Sequence, residues 1–422
     1  MPTTADVLNR VAIGVSIAVG IYAVILGALL TPPVQRFALY AHKFNTAFWH
    51  DLNDAEQFGF AKNQVTPFNI TTPDGQLLYA WHVLPIDAYA LNEWALRDLH
   101  RPSGTVEDVT RSLPFRLLSS KQHPARVVVY FHGNAGHVAQ GWRTDTYRIL
   151  TLQPNTHVVT IDYRGFGHSS GSPTESGLIT DGVALVNWVL HTAKIPPERV
   201  VLLGQSLGTA VASAVALQFA NPQDIGLSGI SSDRQRLLNG LNEVAAPTSF
   251  AGVVLVAPFS SLPSLLLTYR LGGLIPLLLP LRPFPRLANA LTSRMIDTWP
   301  SALRLARYSQ ALTANPSLLE SKEDDLSGDG SAIRREMGAV QVIHALNDMD
   351  IAYEQSEMIC REVLGDDRVK ASSVGRPVTF SERPLGGPRL SVELLQHGGH
   401  NRVATYSAVS IAVLKAFTGR FD

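Results

Sequence analysis

The sequence predicts a doubly wound, mostly parallel α/β sheet with a cap or lid insertion, preceded by one membrane-crossing helix. Three observations carry this. Six short β-rich apolar runs recur along the chain with helix-length stretches between them. One charge-free run of membrane length lies near the N-terminus, and one leucine-rich stretch breaks the strand–helix alternation.

Bulk composition agrees. A chain of 422 residues suits one large α/β domain with insertions. Apolar residues at 45% and charged residues at 17% supply a sizeable core and argue against disorder. Lys plus Arg balance Asp plus Glu at 35 each, with no basic tract, so nucleic acid is not an expected partner. The lone cysteine, Cys360, excludes an internal disulfide and a multi-cysteine metal site, and its apolar neighbours predict a packed thiol.

Residues 1–33 are expected to be a membrane anchor. Residues 11–30 carry no charge and as a helix would span ~30 Å, the thickness of a bilayer's hydrocarbon core. Arg10 precedes the run and Thr31-Pro32-Pro33 stops it. A cleaved signal peptide is the rival reading, with Gly27-Ala28 as its small-residue site, but Leu29-Leu30 continue the apolar run and favour an uncleaved helix. Arg10 on one side faces Arg36 and Lys43 on the other, so the positive-inside rule leaves orientation open. Glycosylation at Asn69-Ile70-Thr71 would put the following domain in the lumen.

Residues 34–64 read as a juxtamembrane connector with helical content, and residues 65–422 as the α/β domain. Residues 65–84 form a hairpin about Pro73-Asp74-Gly75, and 91–123 a surface excursion. The strands are 126–131, 157–161, 200–203, 253–256, 340–343 and 390–395; runs apolar on both faces belong to a parallel sheet covered on both sides. Helices are expected over 175–193, 208–219, 352–363 and 401–417. Polar insertions fall at 221–250, 315–337 and 366–389. The leucine-rich stretch 262–281 is interrupted by Arg270, Gly272, Gly273 and Pro276, and lies between two sheet strands. It reads as a cap or membrane-contacting lid, within an insertion of about 259–338, rather than a second span.

The chemistry centres on Gly204-Gln205-Ser206-Leu207-Gly208, which follows a strand and opens a helix. A sharp turn of this kind lifts its serine above the sheet edge, and the flanking glycines leave room for the strained backbone. Ser206 is therefore the candidate nucleophile. Phe131-His132-Gly133-Asn134-Ala135-Gly136 ends an earlier strand, where an oxyanion-binding loop belongs; by analogy its donors are the amides of Asn134 and Leu207. His132 precedes the elbow and is expected to prop this loop. A serine needs an imidazole to take its proton and a carboxylate to orient that imidazole. Asp348 and Asp350 both follow the strand at 340–343, and spacing favours Asp348. His400, on a glycine pair after the last strand, is favoured as the base over His397, which is expected to support it from behind. No metal-ligand spacing and no phosphate loop occurs, so no metal or cofactor is expected. Ester or thioester cleavage through an acyl-enzyme is what remains.

These motifs, with the run from Asp162-Tyr163-Arg164-Gly165-Phe166-Gly167 to Ser172-Pro173-Thr174-Glu175, resemble the α/β-hydrolase family, in the branch of membrane-anchored monoacylglycerol lipases that act as lysophospholipases and of the Bem46-like proteins. The resemblance covers roughly residues 65–418. It implies Ser206 as nucleophile, Asp348 as acid and His400 as base, with Asn134 and Leu207 at the oxyanion positions. It further implies a lipid ester substrate, a bilayer as partner and a single-pass location in the endoplasmic reticulum or another endomembrane. The acid loop departs from the family pattern, having Met349-Asp350-Ile351-Ala352 where relatives carry a Val-Pro-like pair. A depalmitoylating thioesterase, a broad esterase and a catalytically silent membrane scaffold are the alternatives. Oligomeric state has no sequence signal.

Overall fold

The structure, a computed structural model, describes residues 3–45, 49–99, 104–224, 246–271, 275–276, 278–281, 283–323, 333–365, 380–384 and 386–421. Most of the polar insertions, 225–245, 324–332 and 366–379, lies outside the described residues.

A nine-stranded sheet organises the molecule. Its strands are β1 (Val65–Thr71), β2 (Leu77–Val83), β3 (Arg126–Phe131), β4 (Thr156–Ile161), β5 (Val200–Gln205), β6 (Gly252–Val256), β7 (Ala339–Ala345), β8 (Phe380–Glu382) and β9 (Leu390–Leu395). The spatial order is β1-β2-β4-β3-β5-β6-β7-β9-β8. From β4 to β9 every neighbouring pair is parallel, while β1, β2 and β8 run antiparallel to their neighbours. The hairpin turn between β1 and β2 uses Gly75 at φ +80°, a value an L-residue with a side chain rarely adopts. Asn69, the sequon residue, is exposed on the edge strand β1.

Alternation along each strand sends apolar side chains to both faces, as a doubly covered sheet requires. On one face Val127, Val129, Leu202, Val253 and Val342 pack beneath helices that include α4 (Glu175–Asn187), α5 (Leu207–Ala220) and α7 (Ser301–Ala314). On the other, Val128, Tyr130, Leu203 and Val254 meet α3 (Arg143–Leu150) and α9 (Ser407–Thr418). The helix α8 (Glu354–Leu364) adds Ile359 and the buried Cys360, whose thiol burial pushes up to about 12 and makes a poor nucleophile. Chain direction switches at β3: the connection from β3 leads to β4 on one side, and the next leads back to β5 on the other. Ligands of such sheets gather where the strand order reverses, at the strands' C-terminal ends.

Several sequence expectations are refined. The helix expected over 401–417 is split, because Tyr406 is extended (φ −82°, ψ 150°) between the turn Gly399–Arg402 and α9. The stretch 91–123 is not only superficial: Val109, Phe115 and Leu118 are buried in the main core. Within the expected cap, α7 packs on α5 and α8, so this part is the crossover helix between β6 and β7, and Trp299 ahead of it is fully buried. The rest of the expected cap holds the helix Leu262–Thr268, a short ribbon and α6 (Pro285–Thr292).

At the N-terminus α1 (Thr4–Ala28) begins with a reciprocal cap between Thr3 and Asp6 and buries none of its own residues. Among the described residues it is the helix long and apolar enough to cross a membrane. After it, α2 (Pro32–Tyr40) and the loop to β1 pack on the sheet domain, burying Tyr40, Leu52, Ala55 and Phe60.

Candidate active site

At the C-terminal end of β5 the chain turns through Ser206 with φ +53° and ψ −121°, a strained conformation for a residue with a side chain, and enters α5 at once. Its two flanking glycines are required by close backbone approach. A Cβ on Gly208 would lie 1.9 Å from the Phe131 carbonyl oxygen, and one on Gly204 would lie 2.3 Å from the Gly208 carbonyl oxygen. The turn is held from beneath by the Ser206 N–H donating to the Val256 carbonyl (2.9 Å) and by Thr209, whose hydroxyl donates to the Ser206 carbonyl (2.6 Å).

The structure brings Ser206, His400 and Asp348 together. His400 Nε2 lies 2.9 Å from Ser206 Oγ, and His400 Nδ1 lies 2.8 Å from Asp348 Oδ2. A carboxylate accepts only, so Nδ1 carries the proton and Nε2 is left to accept from the serine hydroxyl. The carboxylate bonded to Nδ1 is that of Asp348; the Asp350 backbone N–H donates to Asp348 Oδ1 (2.9 Å), as does that of Ile351 (2.9 Å). Burial opposes the ionisation of Asp348, but the hydrogen bonds from His344 and His400 overcome it and hold the carboxyl well below its usual range. For His400, burial pulls the pKa down, yet the bond to Asp348 and the charges of Asp348 and Asp350 raise it above the ordinary histidine value. The ring is thus oriented, and its protonated form is favoured by a fixed negative charge. His397 is exposed.

Donor atoms of Asp348, Asp350 and His400 lie within 4.8 Å of one another, the one such group found among the described residues. Both His400 nitrogens are already engaged, which leaves that ring no lone pair for an ion.

The loop after β3 runs beside the serine: a Cβ on Gly133 would lie 3.3 Å from Ser206 Cβ. Arg143, buried at the start of α3, turns this loop's carbonyls towards itself. Its Nη2 donates to the carbonyls of Gly133 (3.0 Å), Asn134 (2.7 Å) and Ala135 (2.9 Å), and Nη1 donates to that of His137. In a trans peptide the N–H points opposite to the C=O. The Asn134 N–H therefore points away from Arg143, as does that of Ala135, which donates to the Tyr40 carbonyl (2.9 Å). His132 props the loop as expected. It is fully buried, with Nδ1 2.7 Å from the Gly133 carbonyl and its ring against Tyr163 and Phe166. Burial and nearby Arg143 hold it neutral, its pKa well below the usual histidine value. Leu207 occupies the first position of α5, where an N–H has no acceptor within the helix.

Sequence reasoning missed the residues that hold this assembly. His344, one strand turn before the acid, donates Nε2–H to the Ile351 carbonyl (2.9 Å) and sits 3.3 Å from Asp348 Oδ2, while Nδ1 meets Ser356 Oγ (2.7 Å). Asn347 Oδ1 accepts the Gly399 N–H (2.9 Å), tying the acid loop to the histidine loop. A histidine at i−4 from the acid and an amide at i−1 were the available signals.

The longer motif is scaffold. Asp162 accepts the N–H groups of Val138 (2.6 Å) and His168 (3.1 Å), and its burial pushes its carboxyl up to about 7. Arg164 pairs with both Asp181 (2.7 Å) and Asp74 (2.8 Å). Glu175 takes the N–H groups of Thr298 (2.7 Å) and Trp299 (3.0 Å) and the guanidinium of Arg304 (2.7 Å), fixing the return of the chain from the cap.

A family model described as "Alpha/beta hydrolase family" matches residues 128–408. Among curated relatives, the lysophosphatidylserine lipase ABHD12 of Danio rerio is 30% identical over 182 residues, covering 43% of this chain and 42% of that protein. Protein ABHD12B of Homo sapiens is 43% identical over 90 residues (21% of this chain, 24% of that protein). The uncharacterized protein YfhR of Salmonella typhi is 39% identical over 87 residues (21% and 29%). The chain therefore spans less than half the length of these relatives. Among solved structures, an alpha-beta hydrolase from Vibrio vulnificus has a TM-score of 0.52 at 12% identity, covering 91% of this chain and 94% of that one, a likeness of fold.

Proposed function

This chain belongs to the alpha/beta hydrolase family, in the branch of ABHD12 and the Bem46-like proteins, and from that premise we propose that it is a membrane-associated serine hydrolase. In this reading it cleaves carboxylic esters of lipids, such as a monoacylglycerol or a lysophospholipid, through an acyl-enzyme on Ser206. The observation that supports it is the hydrogen-bonded chain from Ser206 Oγ through His400 to Asp348.

Ser206 Oγ attacks the ester carbonyl as its proton passes to His400 Nε2, and Asp348 stabilises the imidazolium. Charge growing on the carbonyl oxygen is taken by the Asn134 and Leu207 amides, the second at a helix N-terminus where partial positive charge already resides. His400 then protonates the departing alkoxide. Water, deprotonated by the same ring, attacks the acyl-enzyme and releases the fatty acid with Ser206 restored. The naming of relatives as lysophosphatidylserine lipases puts lysophospholipids first among head groups to try. The exposed apolar α1 supports the single-pass membrane location in this reading, and the endomembrane compartment is part of the proposal.

The test compares the full-length protein with Ser206→Ala in membranes, by fluorophosphonate labelling and by release from monoacylglycerol, lysophospholipid and acyl-cysteine substrates. Labelling and fatty-acid release lost together in the variant support the proposal. Full activity in Ser206→Ala would sink it, an unlabelled wild type would favour a silent scaffold, and exclusive thioester turnover would favour a depalmitoylase.

A further inference from the structure

We propose that the described part of the cap is a second membrane-inserted element, with the apolar side of α6 and the side chains of Leu278 and Leu281 lying in the acyl region of the bilayer beside α1; this rests on the anchoring read for α1 above. The observation is a satellite apolar cluster. Leu278, Leu281 and Ala288 of the cap are buried together, and the half-buried Leu291 of α6 and Tyr22 and Leu26 of α1 pack against them.

Depth follows from helix geometry. The apolar run that α1 carries continues past its end to Leu30, and Tyr22 and Leu26 lie eight and four residues before that point. At 1.5 Å per residue those contacts stand ~12 Å and ~6 Å above the end of the span. If residues 11–30 fill the hydrocarbon core, the cap residues touching Tyr22 and Leu26 fill it too. The cap is also fastened at the lower end. Gln35 of α2 donates to the Arg294 carbonyl (3.1 Å) and accepts the Ile296 N–H (3.1 Å), so the cap's exit is held to the first turn after the span. That fixes the vertical register between the two.

The exposed side chains of the cap include large apolar ones, with Arg286 and Asn289 as the polar edge of α6. Phe284 is 60% exposed and Leu287 54% exposed, and Leu267 faces solvent on the helix Leu262–Thr268. In water these exposures are costly, whereas in acyl chains each is favourable. Arg294, exposed at the level of Gln35, lies where lipid phosphates would be. A lipid ester would then reach the cap sideways from its own leaflet without passing through water.

The native Cys360 is buried, so single thiol labels can be placed elsewhere. Full-length protein carrying Cys360→Ser and one of Leu287→Cys, Phe284→Cys, Val24→Cys or Leu152→Cys is labelled with bimane and reconstituted into vesicles of phosphatidylcholine brominated on the acyl chain. Val24, outward on α1, reports the anchor, and Leu152, exposed just past α3, which packs on the opposite sheet face from α7, reports water. The expected result is that labels at 287 and 284 lose fluorescence to the bromines as the label at 24 does, while that at 152 does not. Quenching at 24 with labels at 284 and 287 as bright as at 152 overturns the cap insertion alone. No quenching at 24 overturns the anchor, and the insertion with it.

Discussion

Replacing Arg143 by methionine isolates the part of the site proposed to hold the attacked oxygen. The guanidinium is buried and donates to four carbonyls, those of Gly133, Asn134, Ala135 and His137. Each charge-assisted bond contributes about 1.5–3 kcal/mol in favourable cases, but they do not add, because these carbonyls belong to one short loop. Asn134 is exposed, so the freed carbonyls have water to turn to. Relaxation therefore rotates the peptide planes, and the Asn134 N–H, which opposes the Gly133 carbonyl, rotates with them. Losing one oxyanion donor costs about 2.7–4 kcal/mol of transition-state stabilisation, or about 100- to 1,000-fold in kcat. The expected outcome for Arg143→Met on a short water-soluble ester is a fall in kcat of that size with KM little changed. Arg143→Lys should be intermediate, because an ammonium keeps the charge but lacks the planar fork. Steady-state kinetics of the full-length protein in detergent, with a thermal melt beside each variant, makes the measurement. A folded Arg143→Met protein whose kcat stays within about threefold of wild type would refute the reasoning, since that change is under 1 kcal/mol.

Other perturbations have equally definite outcomes. Asp348→Asn should cut kcat by orders of magnitude, because an amide cannot hold His400 in the tautomer Ser206 needs; Asp350→Asn should leave the plateau rate near wild type. The base works when neutral, and its pKa is raised, so activity should be lost on acidification above the pH of a free imidazole; in Asp350→Asn, which removes one raising charge, the acidic limb of kcat/KM against pH should move to lower pH. Gly208→Ala should fail to accumulate or melt far below wild type, because its Cβ would meet the Phe131 carbonyl at 1.9 Å and a backbone atom of β3 cannot give way; a normal melt would count against the elbow as described. Asp297→Ala should lower the melting temperature by an amount equal to about 1–3 kcal/mol, since Tyr40 and Glu175 lose a buried acceptor there; differential scanning fluorimetry reads it.

What the sequence disclosed followed chemistry that is local along the chain. Val127 to Phe131 and Val200 to Leu203 are recognisable strands because each run is apolar on both faces, and Gly204 and Gly208 stand out because a turn with this backbone tolerates nothing larger. Asp348 could be preferred to Asp350 by spacing from the strand, and the structure turns Asp348 towards His400. Tertiary partners were hidden. Nothing in the sequence around Arg143 marks it as a ligand for carbonyls ten residues earlier, and Asn347 looks like an ordinary loop residue until Gly399 is beside it. The crossover helix α7 was folded into the cap because its neighbours in sequence are leucine-rich, whereas its neighbours in space are α5 and α8. Likewise Tyr406 reads as helical by pattern, but its extended backbone divides the final helix.

The stretch 34–64, which reads as a passive connector, is joined to the site more closely than its position suggests. Tyr40 ends α2, and its carbonyl receives the Ala135 N–H, while the Asn134 side-chain Nδ2 donates to the Leu39 carbonyl (3.4 Å). The Tyr40 hydroxyl donates to Asp297 (3.0 Å), which also takes Arg36 (3.1 Å) and the first N–H of α4 (3.2 Å). The loop proposed to bind the oxyanion is thus gripped from two sides: by Arg143 and His132 from within the sheet domain, and by α2 from the side of α1. Rotation of α2 about its axis would carry the Tyr40 carbonyl with it, and Ala135 is one residue from the amide proposed to face the substrate. Only Leu29 to Thr31 separate α1 from α2, too few to absorb a displacement of α1. Under the proposed anchoring, the depth and tilt of α1 would be mechanically linked to the geometry of the loop proposed to bind the oxyanion, and the rate should depend on the bilayer even for a substrate that never enters it.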